Sequence, residues 1–91
     1  ENPGEFKDAF ISGIDHSAGK VFVSPAWNET EIIFPVEVNS ETKITDATGK
    51  KKTLSEVKEG TFGIISYRHG PKGELKAISI TILPPKKTIN E

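Results

Sequence analysis

Apolar and polar residues alternate with a period of two along most of this chain, a pattern that predicts strands. Phe10, Ser12 and Ile14 alternate with Ala9, Ile11 and Gly13, so a first strand is expected at about residues 9–15. The polar run from His16 to Gly19 reads as a turn, with Gly19 suited to positive φ. Lys20 to Ser24 then completes a hairpin, and Pro25 ends it because proline supplies no ladder donor. In a third strand at about 30–38, Ile32, Phe34, Val36 and Val38 share one face. Pro35 lies on the other face and marks an edge or a bulge. Thr42 to Thr45 is either a fourth strand or the bent continuation of the third. Two later strands are expected. One contains Phe62 to Tyr67; the other spans about 74–83, with Ile78, Ile80 and Ile82 on one face and Ala77, Ser79 and Thr81 on the other. The turn between them is carried by Gly70, Pro71 and Gly73.

The single helical signal is short. Thr53 and Glu56 have the spacing of a capping box, Leu54 and Val57 lie three apart on one face, and Gly60 is a stop. Strand, strand, broken long strand, short helix, strand, strand is the order of an OB plan, in which a helix plugs the barrel between the third and fourth strands. The expected fold is therefore all-β: a small five- to six-stranded OB-like barrel with one short helix before the penultimate strand. An SH3-like barrel or small sandwich is the alternative. Residues 1–8 read as a flexible leader, 9–83 as one domain and 84–91 as a flexible tail.

Once the elements are placed, the chain resembles small bacterial extracytoplasmic OB-like domains. The resemblance is carried by Gly13-Ile14-Asp15, Gly19 to Val23, Leu54 to Gly60, and Gly73 followed by Ala77 to Ile80. It implies a barrel and a periplasmic or otherwise extracytoplasmic location. The segment from Trp27 to Phe34 is distantly similar to periplasmic copper/silver-binding efflux proteins, in which a tryptophan precedes two methionine ligands and a histidine completes the metal set. Thr30 and Ile32 stand at the methionine positions and Ser24-Pro25 in the histidine region, which leaves Trp27 alone of the metal contacts. Soft thioethers are what select monovalent copper, and the chain has no methionine.

Composition narrows the chemistry further. The 91 residues suit one domain and contain no cysteine, so neither a disulfide framework nor a thiolate metal site exists. With no methionine, the sequence reads as a processed chain or an excised domain; a removed export signal would explain this, and so would trimming to one domain. No apolar stretch approaches the roughly 20 residues of a membrane-spanning helix. Twelve basic and 13 acidic residues give a net charge of −1, whereas nucleic-acid binders display a basic excess.

Three kinds of site remain to be weighed. Trp27, Glu29, Tyr67 and Arg68 are the candidate binding residues for a protein or small ligand, because aromatic rings with a polar handle suit a wet site. His16, His69 and Asp15 form an alternative metal set, provided that the first and last hairpin turns meet. A single-stranded nucleic-acid binder would stack bases on Trp27, Phe22 and Tyr67 beside Arg68, Lys20 and Lys43, but Glu29, Glu31 and Glu37 crowd that region. The lysine run from Lys50 to Lys52 reads as a solvated loop. Catalysis has no visible carrier: there is no cysteine nucleophile, no glycine-rich phosphate loop and no serine elbow. The expectation is a non-enzymatic binding or assembly module without a cofactor.

Overall fold

A computed structural model describes residues 4–25 and 32–84. Within them the fold is all-β. Its strands are β1 (Gly4–Asp15), β2 (Lys20–Ser24), β3 (Phe34–Glu37), β4 (Lys43–Asp46), β5 (Phe62–His69) and β6 (Leu75–Ile82), with a 3-10 turn over Leu54–Glu56. They form one six-stranded sheet in the order β3, β2, β1, β5, β6, β4, and a further β3–β6 pairing closes a ring of hydrogen bonds. Both β3 and β4 run parallel to β6 and pair with it in series, Val36 beside Leu75 and then Lys43 beside Ser79. The broken third strand of the sequence is thus two strands laid along one neighbour. Where they separate, the Thr42 hydroxyl donates to the Ala77 carbonyl at 2.8 Å.

Inside the ring, Phe6, Ala9, Ile11, Val21, Val23, Val36, Ile44, Val57, Ile65, Ala77 and Ile80 form the core. Val57 is 3 % exposed, and Leu54 packs partly buried against the same cluster, so the 3-10 turn covers apolar surface as its spacing predicts. The capping box of Thr53 and Glu56 forms. The Glu56 carboxylate accepts the Thr53 N–H at 2.8 Å, and the Thr53 hydroxyl also pairs with the Ser55 hydroxyl at 2.9 Å. At the first hairpin Gly19 has φ 67°, and a side chain there would press on the Val38 carbonyl.

Three expectations change. Strand β1 begins at Gly4, within the stretch read as a leader, because Phe6 is buried between Phe34 and Tyr67 with ring centroids at 5.7 and 4.8 Å. Gly4 and Phe6 are also in register with Tyr67 and Ile65 of β5, and this pairing outweighs the loop-like composition. Strand β3 begins at Phe34, and Ile32 is 48 % exposed instead of lying in the core with Val36. In β6 the register with β5 shifts after Ser66, so Ala77 is buried and Ile78 is 40 % exposed. One extra residue reverses the facing of everything beyond it, because side chains alternate with a period of two. Pro35 fits its expected edge setting: β3 pairs with β2 throughout but with β6 only from Val36 onward.

Four carboxylates on turns are held below their ordinary values. Asp15 is lowered first by the Ala18 N–H and then by the Ser17 hydroxyl; Asp46 first by the Thr48 hydroxyl and then by the Lys50 N–H. Glu56 is lowered first by the Thr53 N–H, and Glu74 by its own backbone N–H and that of Lys72. A lowered native value means that the ionised form favours folding above the ordinary values of 3.8 and 4.5. That contribution is lost as pH falls through the native values. The melting temperature should therefore stay level down to about pH 5 and decline below it. Asp46→Asn should make the decline shallower, and an unchanged acid limb in that variant would contradict the assignment.

Candidate functional site

Register irregularities also shape the outer surface. Between Ile11 and Gly13 the β1–β2 register shifts, leaving Ser12 as an extra residue. Ile11 remains buried opposite Val23, whereas Gly13 lies opposite Phe22, and Phe10 opposite Ser24. On its other side Phe22 is paired with Pro35 of β3. Gly13 leaves room over the ladder: a Cβ there would sit 3.6 Å from Phe22 Cδ2, in contact with the ring. Phe10 also pairs with Phe62 of β5, with ring centroids 5.2 Å apart.

The result is an outward strip of Pro35, Phe22, Phe10 and Phe62 across four strands. Phe10 is 37 % exposed, and Ile33, just before β3, is 50 % exposed. Charges bound one end. Lys20 is paired in register with Asp15 on one side and Glu37 on the other, and Glu37 meets Lys76 at 3.6 Å. Beside this end lies a cavity of about 200 Å³ lined by Lys20, Phe34, Pro35, Glu37, Glu74 and Leu75, among others. No polar side chain belongs to the buried core among the described residues. The strip therefore offers apolar contact area, framed by hydroxyls and matched charges.

The predicted site residues do not converge. Trp27 and Glu29 lie outside the described residues. Tyr67 is half-buried on the core side, packed on Phe6 and met edge-on by His69 at 5.9 Å between ring centroids. Arg68 is exposed on the opposite face, beside Lys76 in the ladder, so strand alternation separates two residues adjacent in sequence.

The metal set of His16, His69 and Asp15 is not assembled either. Gly4 lies opposite Tyr67, which places His69 near the start of β1, whereas His16 follows Asp15 at that strand's other end. Asp15 Oδ1 instead accepts from the Ser17 hydroxyl at 3.0 Å and the Ala18 N–H at 3.1 Å. Among the described residues no three His, Asp or Glu side chains gather as a ligand set.

Sequence reasoning missed Phe10 and Phe62 as surface residues. Apolar residues on both faces of residues 9–15 were the available signal, but only the β1–β2 and β1–β5 registers show which of them face outward. Compared with known proteins, the chain matches no family, no curated protein and no solved structure.

Proposed function

We propose that this protein is a non-enzymatic binding or assembly module on an OB-like barrel, which docks a protein partner through Phe10, Phe22, Phe62 and Pro35. The carrying observation is the outward aromatic strip, made of side chains that the filled core does not use. Outward apolar surface gathered on one face in this way marks interaction sites. The ring order β1, β2, β3, β6, β5 supports the OB-like reading when β3 and β4 are counted as one broken strand. The turn over Leu54–Glu56 then stands where the plug helix of that plan belongs. OB folds bind ligands on the face of their second and third strands, and here β2 and β3 contribute Phe22 and Pro35 to the strip.

A protein suits this strip better than a nucleic acid. Lys20 stands in register between two carboxylates, Asp15 and Glu37, so among the described residues the end of the strip carries no excess of positive charge to attract phosphates. The reading assigns no cofactor and no catalytic group. The four displaced carboxylates are all lowered, as turn hydrogen bonds require, and none is raised into the range of a general acid. The extracytoplasmic location in this reading rests on the resemblance of the chain to small bacterial extracytoplasmic OB-like domains.

The test is cross-linked co-purification with the parent chain and with Phe10→Ser and Phe22→Ser, each checked for an unchanged melting temperature. Centrally placed aromatic anchors cost about 2 kcal/mol or more when truncated, so a partner held by the parent should be retained about thirtyfold less well. Equal retention by both variants would refute the docking face. A parallel oligonucleotide titration at low salt should be flat, and steep salt-dependent binding would favour the nucleic-acid alternative.

A further inference from the structure

The surface on the other side of the ring has a different chemistry. Ile44 of β4 is buried, so its neighbours Lys43 and Thr45 face outward. Lys51 is paired with Thr45 through an isolated antiparallel bridge, which brings its side chain to the same face. Lys43 lies beside Ser79 and Thr45 beside Thr81 of β6, and Ser79 is in turn paired with Ser66 of β5. Arg68, two residues beyond Ser66, completes an oblique row of cations running from Lys51 through Lys43 to β5. Two strand spacings, about 10 Å, separate β4 from β5.

None of Lys43, Lys51 and Arg68 forms an ion pair among the described residues, whereas Lys52 faces Asp46 and Lys76 faces Glu37 and Glu74. Between the free cations lie the hydroxyls of Thr45, Ser79, Thr81 and Ser66 and the exposed Ile78. A cavity of about 480 Å³ opens alongside, with Glu41, Thr42, Lys43, Thr45, Lys51 and Lys52 in its lining. No aromatic side chain lies between these cations: Tyr67 packs inward on Phe6, and Phe62, at the start of β5, is tilted against Phe10.

We propose that the outward face of β4, β6 and β5 binds an acidic polysaccharide, with Lys43, Lys51 and Arg68 pairing its carboxylates and the threonine and serine hydroxyls meeting its hydroxyls. Hydroxyl groups both donate and accept, which matches a sugar chain. Ile78 supplies apolar contact for the C–H face of a ring. A single-stranded nucleic acid would find the charge but no ring between the cations on which to stack its bases. The face meets the aromatic strip only at the Phe62 end of β5 and shares none of Lys43, Lys51 and Arg68 with it, so the proposal does not depend on a protein partner.

Titration of the full chain with polygalacturonate oligomers, followed by amide NMR, tests it. Shifts should concentrate at Lys43, Thr45, Ser79, Thr81 and Arg68. They should weaken between about 0.01 M and about 0.15 M salt, as the screening length falls from about 30 to about 8 Å. The double variant K43E/K51E should bind about tenfold more weakly, and Arg68→Glu should also lose affinity. Lys72→Glu, in the β5–β6 turn, should bind like the parent. Absence of shifts at low salt, undiminished binding by both face variants, or binding of polycytidylate as tight as that of the uronate would each overturn the proposal.

Discussion

Replacing Ile80 with alanine should destabilise the fold by about 2–5 kcal/mol, the largest single loss expected from truncating one side chain. Ile80 is fully buried and is paired with Ile65 of β5 on one side and Ile44 of β4 on the other. Truncation removes apolar contacts from all three strands at once. The space left cannot close readily, because each strand is held in place by its own ladder. A small domain has about 5–15 kcal/mol of stability in total, so the loss is a large share. Thermal unfolding should show it as about 4–8 °C per kcal/mol. A loss below about 1 kcal/mol would mean that Ile80 is not enclosed by this core.

Gly63→Val should cost about 1–3 kcal/mol for the opposite reason, overpacking. Gly63 is buried in β5, in register with Ala9 of β1 and Ile82 of β6. Even a Cβ at this position would come within 3.1 Å of the Thr81 carbonyl and 3.7 Å of Ile11 Cδ1. Valine adds two methyl groups beyond that point, and backbone on the β6 side cannot rotate away as a flexible side chain could. Urea unfolding should show a lower midpoint with an unchanged slope, the mark of lost stability without altered exposure. An unchanged midpoint would show that the β5–β6 contact is looser than the ladder implies. The predictions for Ile80 and Gly63 bracket the interior, one by creating space and the other by filling it.

Much of the fold was legible in the chain, and for local reasons. Gly19 and Gly73 announce hairpin turns and have positive φ there, because a glycine reaches that region without a Cβ clash. Leu54 and Val57 at a spacing of three identify the turn that packs on the core. The candidate sites were less legible. Adjacency in sequence suggests one surface for Tyr67 and Arg68, yet a strand sends neighbours to opposite faces, and Tyr67 packs in the aromatic cluster with Phe6. His16 and His69 both lie at strand ends, but nothing local states which strand ends meet. Phe10 and Ile14 belong to one strand and one alternating set, and the extra residue at Ser12 separates their roles.

Turn chemistry, strand periodicity and the absence of thiol and thioether ligands were properties of the sequence alone, since each depends on a residue and its near neighbours. Register was decided only in the folded sheet. The start of β1 at Gly4, the reversal at Ile78 and the gathering of Phe22, Phe10 and Phe62 on one outer face each depend on pairing between segments far apart in the chain. One residue gained in a ladder exchanges inside for outside, and the exchange is set by the partner strand.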